Sequence, residues 1–246
     1  METPVLIPQV VFEDDRLLVV GKPSGLVVNR SQSARYQTLQ DWIQERYGVH
    51  FENNGGDFSK RNGIVHRLDK ETSGLLLVAK LPATFEYLQQ QFKRREVQKK
   101  YWGLVHGKVE PTTGEIALPI SRNPFSRKKF GVFLGGRAAK TEYRVIKIFQ
   151  KEDHSSGEFF SLLALFPKTG RTHQLRVHLK YLHHPLVADP IYGGRKTFRS
   201  DIKWCPRLFL HAAGLSFIHE TTCRKVSYFS PLPIELVQVL QKLKPL

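Results

Sequence analysis

The sequence predicts an α+β fold, with residues 1–246 forming one domain around a large, mixed and mostly antiparallel sheet flanked by helices. Segments typical of strands greatly outnumber those with the helical apolar period, and few follow the regular strand–helix–strand order of a parallel sheet. The chain has 246 residues, enough for a substantial core, and it shows no internal repeat, low-complexity tract or clear linker.

In the first half of the chain, short strands alternate with helices. Strands are predicted at residues 10–12, 17–20, 75–79 and 97–105. One helix is predicted to follow Thr38, an N-cap residue with Asp41 in the position that reaches back to it, and a second to begin at Pro82. Residues 51–62 are rich in turn-forming residues and predict a mobile loop.

The second half is predicted to contain a strand hairpin, a helix, a long loop and two further strands before a C-terminal helix. The predicted strands are residues 141–149, 158–166, 208–217 and 226–229. Thr172 is predicted to cap the first helix, residues 183–199 to form the loop, and the last helix to start near Pro233.

The charge of the chain favours a polyanionic partner, either nucleic acid or an anionic membrane surface. Lys and Arg total 38 against 22 Asp and Glu, a formal net charge of +16. Residues 121–140 concentrate cations among phenylalanines and glycines, a composition more typical of a nucleic-acid surface than of a merely solvated face. RNA is therefore the predicted partner.

Features of the sequence favour a cytoplasmic location over a membrane or secreted one. No apolar run approaches the roughly 18 residues of a membrane span, and the N-terminus lacks the basic start and apolar core of a signal peptide. The two cysteines do not form a disulfide framework or a Cys-x-x-Cys pair.

The segment 65–79 joins a charged stretch to an almost purely apolar run. Residues 66–71 include a histidine, an arginine, an aspartate, a lysine and a glutamate, and the apolar run reads as a buried strand. Asp69 is thus predicted to lie in a short loop anchored on both sides. A loop carboxylate often only closes a turn, but this is also where a rigid scaffold can hold a reactive side chain.

The string His-Arg-Leu-Asp followed by Thr-Ser-Gly-Leu-Leu-Leu, at residues 66–77, closely resembles the catalytic motif of the RluA-type pseudouridine synthases. Residues 100–105 are similar to the second motif of that family, residues 169–178 to its third, and residues 208–212 to a further strand. Four ordered motifs are far less likely to arise by chance than one. The resemblance runs from about residue 9 to the C-terminus.

The resemblance implies a site in a cleft across the sheet. It implies that Asp69 is the essential catalytic group, that Tyr101 lies in the active site, and that Arg176 pairs with the aspartate. Further residues are predicted to bind the substrate: His66, Arg67, Arg171, His173 and Leu210. Of these, Arg67 is expected to help occupy the space left by a flipped uridine, and Leu210 to line the pocket.

The implied reaction is isomerisation of uridine to pseudouridine in ribosomal or transfer RNA, with no metal or other cofactor. The sequence is compatible with Asp69 acting either as a covalent nucleophile or as a base. Many relatives carry a small N-terminal RNA-binding domain, and no such domain is expected before Val10. The protein is expected to be a monomer that needs no protein partner.

Two other interpretations compete with the isomerase. An RNA-binding module without catalytic activity would tolerate Asp69→Ala unchanged, whereas an enzyme would lose turnover. A metal-dependent hydrolase is suggested by four histidines in one region, namely His173, His178, His183 and His184. Their spacing is not that of the helical zinc motif with an intervening glutamate, and chelation would distinguish the two enzyme types.

Overall fold

A computed structural model describes residues 6–30, 37–48, 56–126, 129–151 and 157–246. The chain divides into two compact units. Unit 1 comprises Met1–Gln98 with Gly214–Ser230, and unit 2 comprises Lys99–Ala213 with Pro231–Leu246.

Helices and strands alternate irregularly along the described residues. The helices are α1 (Leu39–Tyr47), α2 (Gly56–Lys60), α3 (Pro82–Arg94), α4 (Gln174–Tyr181), α5 (Arg195–Asp201) and α6 (Ile234–Gln241). The strands are β1 (Gln9–Glu13), β2 (Leu17–Lys22), β3 (Ser73–Ala79), β4 (Gln98–His106), β5 (Thr113–Ala117), β6 (Ile120–Arg122), β7 (Phe130–Val132), β8 (Lys140–Lys151), β9 (Glu158–Pro167), β10 (Leu210–Ile218), β11 (Lys225–Phe229) and β12 (Lys244–Pro245).

In unit 1, β2 pairs antiparallel with both β1 and β3. All seven residues of β3 are buried, which explains why this strand is a continuous apolar run rather than an alternating one. The second part of β10 pairs antiparallel with β11 through Gly214–Phe229 and the positions that follow.

The helix starts in unit 1 agree with the sequence. Thr38 and Asp41 form a reciprocal capping box on α1, and Pro82 occupies the first turn of α3. The mobile loop predicted for residues 51–62 is wrong for residues 56–60, which form α2. Phe58 anchors this turn because its buried ring packs edge-on against Phe85, with centroids 5.8 Å apart. Residues 51–55 lie outside the described part of the chain.

In unit 2, β9 pairs antiparallel with both β4 and β8, and β8 also pairs with β5 and β12. The predicted hairpin of residues 141–149 and 158–166 is confirmed, with residues 152–156 of its connection outside the description. A separate hairpin is formed by β6 and β7. The C-terminal helix α6 buries Leu236 and Val239 against Leu104 and Phe160, as its apolar spacing predicts.

Two expectations for unit 2 are wrong. Thr172 does not cap α4: the N-cap is His173, in the left-handed region with φ of 54°, and it makes no side-chain cap. The Gln174 side chain closes this turn instead, since its Oε1 accepts from the backbone N–H of Arg171 at 3.0 Å. The loop predicted for residues 183–199 is wrong at its end, because α5 begins at Arg195. This helix is short and has few apolar residues, so the sequence shows no helical apolar period there.

The predicted α+β class is confirmed, with antiparallel pairing dominating the registers just described. One domain over residues 1–246 stays a prediction. None of the helices in the described ranges has both the length and the apolar character needed to cross a membrane. Both cysteines are free thiols.

Candidate active site

Asp69 lies in the loop that leads into β3, and the loop is anchored at both ends as predicted. Ile64 forms a β-bridge with Val78, which pins the entry to the loop. At the exit, the backbone N–H of Thr72 donates to the Asp69 carbonyl at 3.2 Å. Asp69 itself is partly buried, so the main chain of the loop is held in place while the residue stays accessible to solvent.

The buried side chain of Lys22 anchors this loop through hydrogen bonds. Only 1% of Lys22 is exposed, and its ammonium donates to the carbonyls of Pro23 at 2.9 Å and Leu26 at 2.8 Å. It also donates to the carbonyl of Lys70 at 3.1 Å, the residue that follows Asp69. A buried ammonium is costly unless it is hydrogen-bonded, so these carbonyls define where the loop can lie.

The next residues of the same turn add two more contacts to the loop. The Ser24 hydroxyl donates to the carbonyl of Glu71 at 2.6 Å, and the Gly25 N–H donates to the carbonyl of Lys70 at 2.8 Å. Gly25 has a φ of +91°, a conformation that favours glycine. Residues 22–25 together supply the contacts just described. Their role is to position the loop that carries Asp69.

Replacing Lys22 with methionine is expected to lower the free energy of unfolding by about 1–3 kcal/mol, because buried carbonyls lose their donor. Turnover should fall as well, since the loop around Asp69 is no longer held in place. Urea unfolding and steady-state kinetics measure the two effects. Lys60→Met, at an exposed position of α2, is the control and should stay within about 0.5 kcal/mol of wild type. Equal unfolding free energies for the two variants would contradict the anchoring role.

His66 and Arg67 lie on the same loop with different exposure. The His66 Nε2 accepts from the Leu77 N–H at 3.0 Å, and the His66 ring lies 4.8 Å from that of Phe92. An accepting Nε2 carries no proton, so this bond specifies a neutral ring that fastens the loop to β3. Arg67 is exposed. The predicted contacts of both residues with RNA stay predictions.

Tyr101 projects from β4 in unit 2 towards an apolar cluster. Its partly buried ring packs against the cluster that contains Leu165 and Leu210, and Val105 of the same strand belongs to it too. Leu104 belongs to a different cluster, as the two-residue alternation of side chains along a strand requires. Leu210 is buried, and its role as a pocket-lining residue stays a prediction.

Lys99 precedes Tyr101 by two residues, and its partly buried ammonium donates to the carbonyl of Thr169 at 3.2 Å. Burial lowers the pKa of Lys99 from 10.5 to about 8. Between those two pH values the unfolded chain binds more protons at this residue than the folded chain does. The folded state is therefore stabilised as the pH rises from about 8 towards 10.5.

We expect the Lys99→Met variant to lack this pH-dependent gain, because it has no proton to release. Urea unfolding of both proteins at several pH values between 7 and 10.5 should show the wild type gaining stability relative to the variant. Since both proteins share every other titrating group, their difference isolates Lys99. Parallel stability curves would show that Lys99 keeps its ordinary pKa.

Arg176 is fully buried in a two-pronged ion pair with Asp189. Its Nε donates to Oδ2 at 2.8 Å and its Nη2 to Oδ1 at 2.7 Å, and neither side chain is exposed (0% for both). Oδ1 also accepts the N–H groups of Ile191 at 2.8 Å and Tyr192 at 3.0 Å. The ion pair with Asp189 uses two of the five N–H donors of the Arg176 guanidinium. The predicted pairing of Arg176 with Asp69 stays a prediction.

Sequence reasoning missed Asp189. Two features of the sequence could have identified it. Asp189 is the only carboxylate within residues 183–199, and it follows a helix on which an arginine lies beside a buried apolar stripe. Arg176 and Lys180 are four residues apart on the chain, but Arg176 is buried whereas Lys180 is exposed. The anion that Arg176 needs is supplied from inside unit 2.

Tyr192 connects Arg176 to His173. The guanidinium carbon of Arg176 lies 5.3 Å from the centroid of the Tyr192 ring. The Tyr192 hydroxyl is hydrogen-bonded to Nδ1 of His173 at 2.9 Å and accepts the N–H of Phe130 at 3.0 Å. His173 therefore has a structural partner through Tyr192, and its predicted contact with RNA stays a prediction.

The basic segment 121–140 overlaps the β6–β7 hairpin, which begins at Ile120. The Arg122 guanidinium carbon lies 5.3 Å from the centroid of the Phe130 ring, and Phe125 is 95% exposed. Residues 127 and 128 lie outside the description. An exposed aromatic ring among cations suits nucleic acid, as the sequence predicts.

Arg171 lies close to this segment, because its Nε donates to the carbonyl of Ala138 at 3.2 Å. Its guanidinium is thus oriented by the chain just before β8. Binding of RNA by Arg171 stays a prediction.

Histidines of the group that suggested a metal site make hydrogen bonds within the protein. The two ring nitrogens of His178 are hydrogen-bonded to the hydroxyl of Thr141 at 3.0 Å and to the carbonyl of Leu118 at 3.1 Å. Burial lowers the pKa of His178, which favours the neutral ring. Nδ1 of His184 is bonded to a backbone carbonyl at 2.8 Å. Within the described ranges, no three His, Cys, Asp or Glu side chains are grouped so that they could hold a metal ion.

Each unit gathers part of the predicted set of site residues. Unit 1 holds His66, Arg67 and Asp69 on one loop. Unit 2 holds Tyr101, Arg171, His173, Arg176 and Leu210.

Comparisons with known proteins agree with the motifs. The sequence profile of a family described as RNA pseudouridylate synthase matches residues 16–181. A protein from Nitrosomonas europaea named ribosomal large subunit pseudouridine synthase D is 37% identical over 244 residues, covering 97% of this chain and 66% of that protein. Its namesake from Pseudomonas aeruginosa is 35% identical, covering 96% of this chain and 72% of the relative. This chain thus spans about two thirds of the length of such relatives.

Among solved structures, human RNA pseudouridylate synthase domain containing 1 is similar, with a TM-score of 0.75 and 28% identity. The match covers 100% of this chain and 91% of the human one.

Proposed function

The chain belongs to the RNA pseudouridylate synthase family, and we propose that it isomerises uridine to pseudouridine in RNA with Asp69 as the reacting carboxylate. The observation that carries this proposal is the loop of Asp69 in unit 1. Lys22 and Gly25 bind its backbone, and His66 fastens it to β3. Preorganisation of this kind is what a catalytic carboxylate requires.

The reaction rearranges one nucleotide without adding or removing atoms. The bond between ribose C1′ and uracil N1 breaks, the base turns, and a bond forms between C1′ and C5. C5 loses its proton and N1 gains one, so protons and electrons balance. Asp69 either adds to the sugar or removes a sugar proton in the first stage, and both roles need the ionised carboxylate.

Two residues of unit 2 support the proposed chemistry. The family motif at Arg176 gives this residue the role of pairing with the catalytic aspartate, and the Arg176 guanidinium is oriented by Asp189. Tyr101 offers its ring for stacking on uracil and its hydroxyl near the proton that C5 must lose. The roles of Arg176 and Tyr101 rest on the family motifs at their positions.

RNA is the proposed partner, either ribosomal or transfer RNA. The net charge of +16 supports a polyanion, and the exposed Phe125 beside the cations of residues 121–140 supports single-stranded or loop RNA. The related proteins named ribosomal large subunit pseudouridine synthases favour ribosomal RNA. We propose action as a monomer in the cytoplasm.

The test is pseudouridine mapping at nucleotide resolution in total RNA from cells that lack the protein. These cells are compared with cells restored by wild type or by Asp69→Asn. A uridine modified only with the wild type would establish activity and target together. If no position depends on the protein, the isomerase proposal fails and RNA binding without chemistry takes its place.

A further inference from the structure

A polar face of α3 lines an open pocket in unit 1 that the proposed chemistry does not use. The pocket has a volume of about 480 Å³, within the range of small-ligand sites. Its lining residues are Val65, Glu86, Gln89, Gln90, Phe92 and Lys93. The four polar positions are separated by three, one and three residues, so they share one face of the helix.

The polar groups of this pocket have unused hydrogen-bonding capacity. In the part of the chain that the structure describes, none of these four polar side chains has a hydrogen-bond or ion-pair partner. Gln91 on the opposite face is different, because its amide donates to the Ile218 carbonyl at 2.8 Å and accepts the Ile218 N–H at 2.8 Å. The glutamines that face the pocket are therefore available to a ligand.

The pocket also has an aromatic wall. Phe92 is half-buried and its ring lies 4.8 Å from that of His66, at an interplanar angle of 33°. His66 is in turn fixed by the Leu77 N–H. A ring held in this way is a suitable platform for stacking a nucleobase. Val65 extends the apolar surface beside it.

The polar side chains of the pocket can distinguish one nucleobase from another. A glutamine amide can bond two adjacent positions of adenine, N6 and N7, and a glutamate accepts a hydrogen bond from an exocyclic amine. Uracil presents a carbonyl oxygen where adenine has its amine, so Glu86 would face an acceptor. Lys93 at the end of the same face suits a phosphate.

We infer that this pocket on α3 binds an adenine base of the RNA substrate, from a nucleotide near the reacting uridine. The inference rests on the proposed function for the identity of the strand. Val65 in the pocket wall and Asp69 are four residues apart, so at most about 14 Å of chain separates them. A nucleotide in the pocket and the target uridine therefore belong to one short stretch of RNA.

The test compares the binding of two fluorescently labelled octaribonucleotides at one fixed salt concentration: an adenine strand that carries a single central uridine, and an all-uracil strand, so that both can place a uridine in the active site. The wild type should prefer the adenine strand, and Gln90→Ala should reduce the ratio of the two affinities about tenfold. Gln241→Ala, which removes an exposed glutamine near the end of α6, is the matched control and should keep the wild-type ratio. Glu86→Ala should strengthen binding of the uracil strand while weakening the preference for adenine, because it removes both a negative charge and an acceptor.

Equal affinities of the wild type for the two strands would overturn the inference, as would equal ratios in the Gln90→Ala and Gln241→Ala variants. A different result would contradict the proposed function. A protein that keeps its adenine preference but modifies no uridine would retain the pocket and lose the isomerase. Asp69→Asn should keep the full preference, since it lies outside the pocket lining.

Discussion

Asp69→Asn is expected to reduce pseudouridine formation in a target RNA by about a thousandfold or more, with little change in RNA affinity. The amide has nearly the same shape as the carboxylate but is neutral, so it can neither add to the sugar nor take up a proton. The loop should keep its position, because Lys22 and Gly25 bind its backbone rather than the Asp69 side chain. Single-turnover assays of pseudouridine and equilibrium binding of the same RNA measure the two quantities.

Glu71→Gln is the matched control, since it neutralises a second carboxylate two positions along the same loop. It should retain turnover within a few-fold of wild type. Comparable loss in both variants would mean that the charge of the loop matters and that Asp69 is not the reacting group. Urea unfolding of each variant excludes a simple loss of fold.

Asp189→Ala is expected to lower the free energy of unfolding by about 3–5 kcal/mol. Both members of the pair are fully buried (0% exposed), so the substitution leaves the Arg176 guanidinium charged and without its main partner. It also removes the acceptor of the Ile191 and Tyr192 N–H groups. Urea unfolding at neutral pH measures the loss, and turnover should fall with it because Arg176 is no longer oriented.

Glu142→Ala provides the comparison, because Glu142 pairs with Lys168 at 2.7 Å with over two fifths of each side chain exposed. That exposed pair should contribute less than about 1 kcal/mol. Replacing Arg176 and Asp189 together by methionine and leucine should recover much of the stability but none of the activity. If Asp189→Ala is no more destabilising than Glu142→Ala, the buried pair does not hold Arg176.

Elements with local signals were predictable from the sequence. The capping box of Thr38 and Asp41 needs only residues three positions apart, and Pro82 marks a helix start by itself. The buried strand β3 follows from its unbroken apolar run. The Asp69 loop was identified by its motif, whose residues are consecutive.

The contacts that position the site were not predictable in the same way. Lys22 reaches the carbonyl of a residue 48 positions away, and Arg176 pairs with a carboxylate 13 positions away. Nothing in the local sequence distinguishes such a lysine or aspartate from a solvated one. The start of α4 was misplaced by one residue: its N-cap is His173, which makes no side-chain cap, and the preceding turn is closed by the Gln174 side chain, which accepts the N–H of Arg171.

The hydrogen bonds between α3 and residues 218–220 also bear on how the protein is synthesised. Gln91 is bonded to Ile218, 127 positions later in the chain, and Thr84 is bonded to Glu220. At ordinary rates of translation, roughly 6 to 25 s pass between synthesis of the first partner and of the second. During that interval the nascent segment carrying Asp69 lacks the residues 214–230 that complete unit 1. Unit 1, which contains Asp69, is therefore complete only after residue 230 has been synthesised.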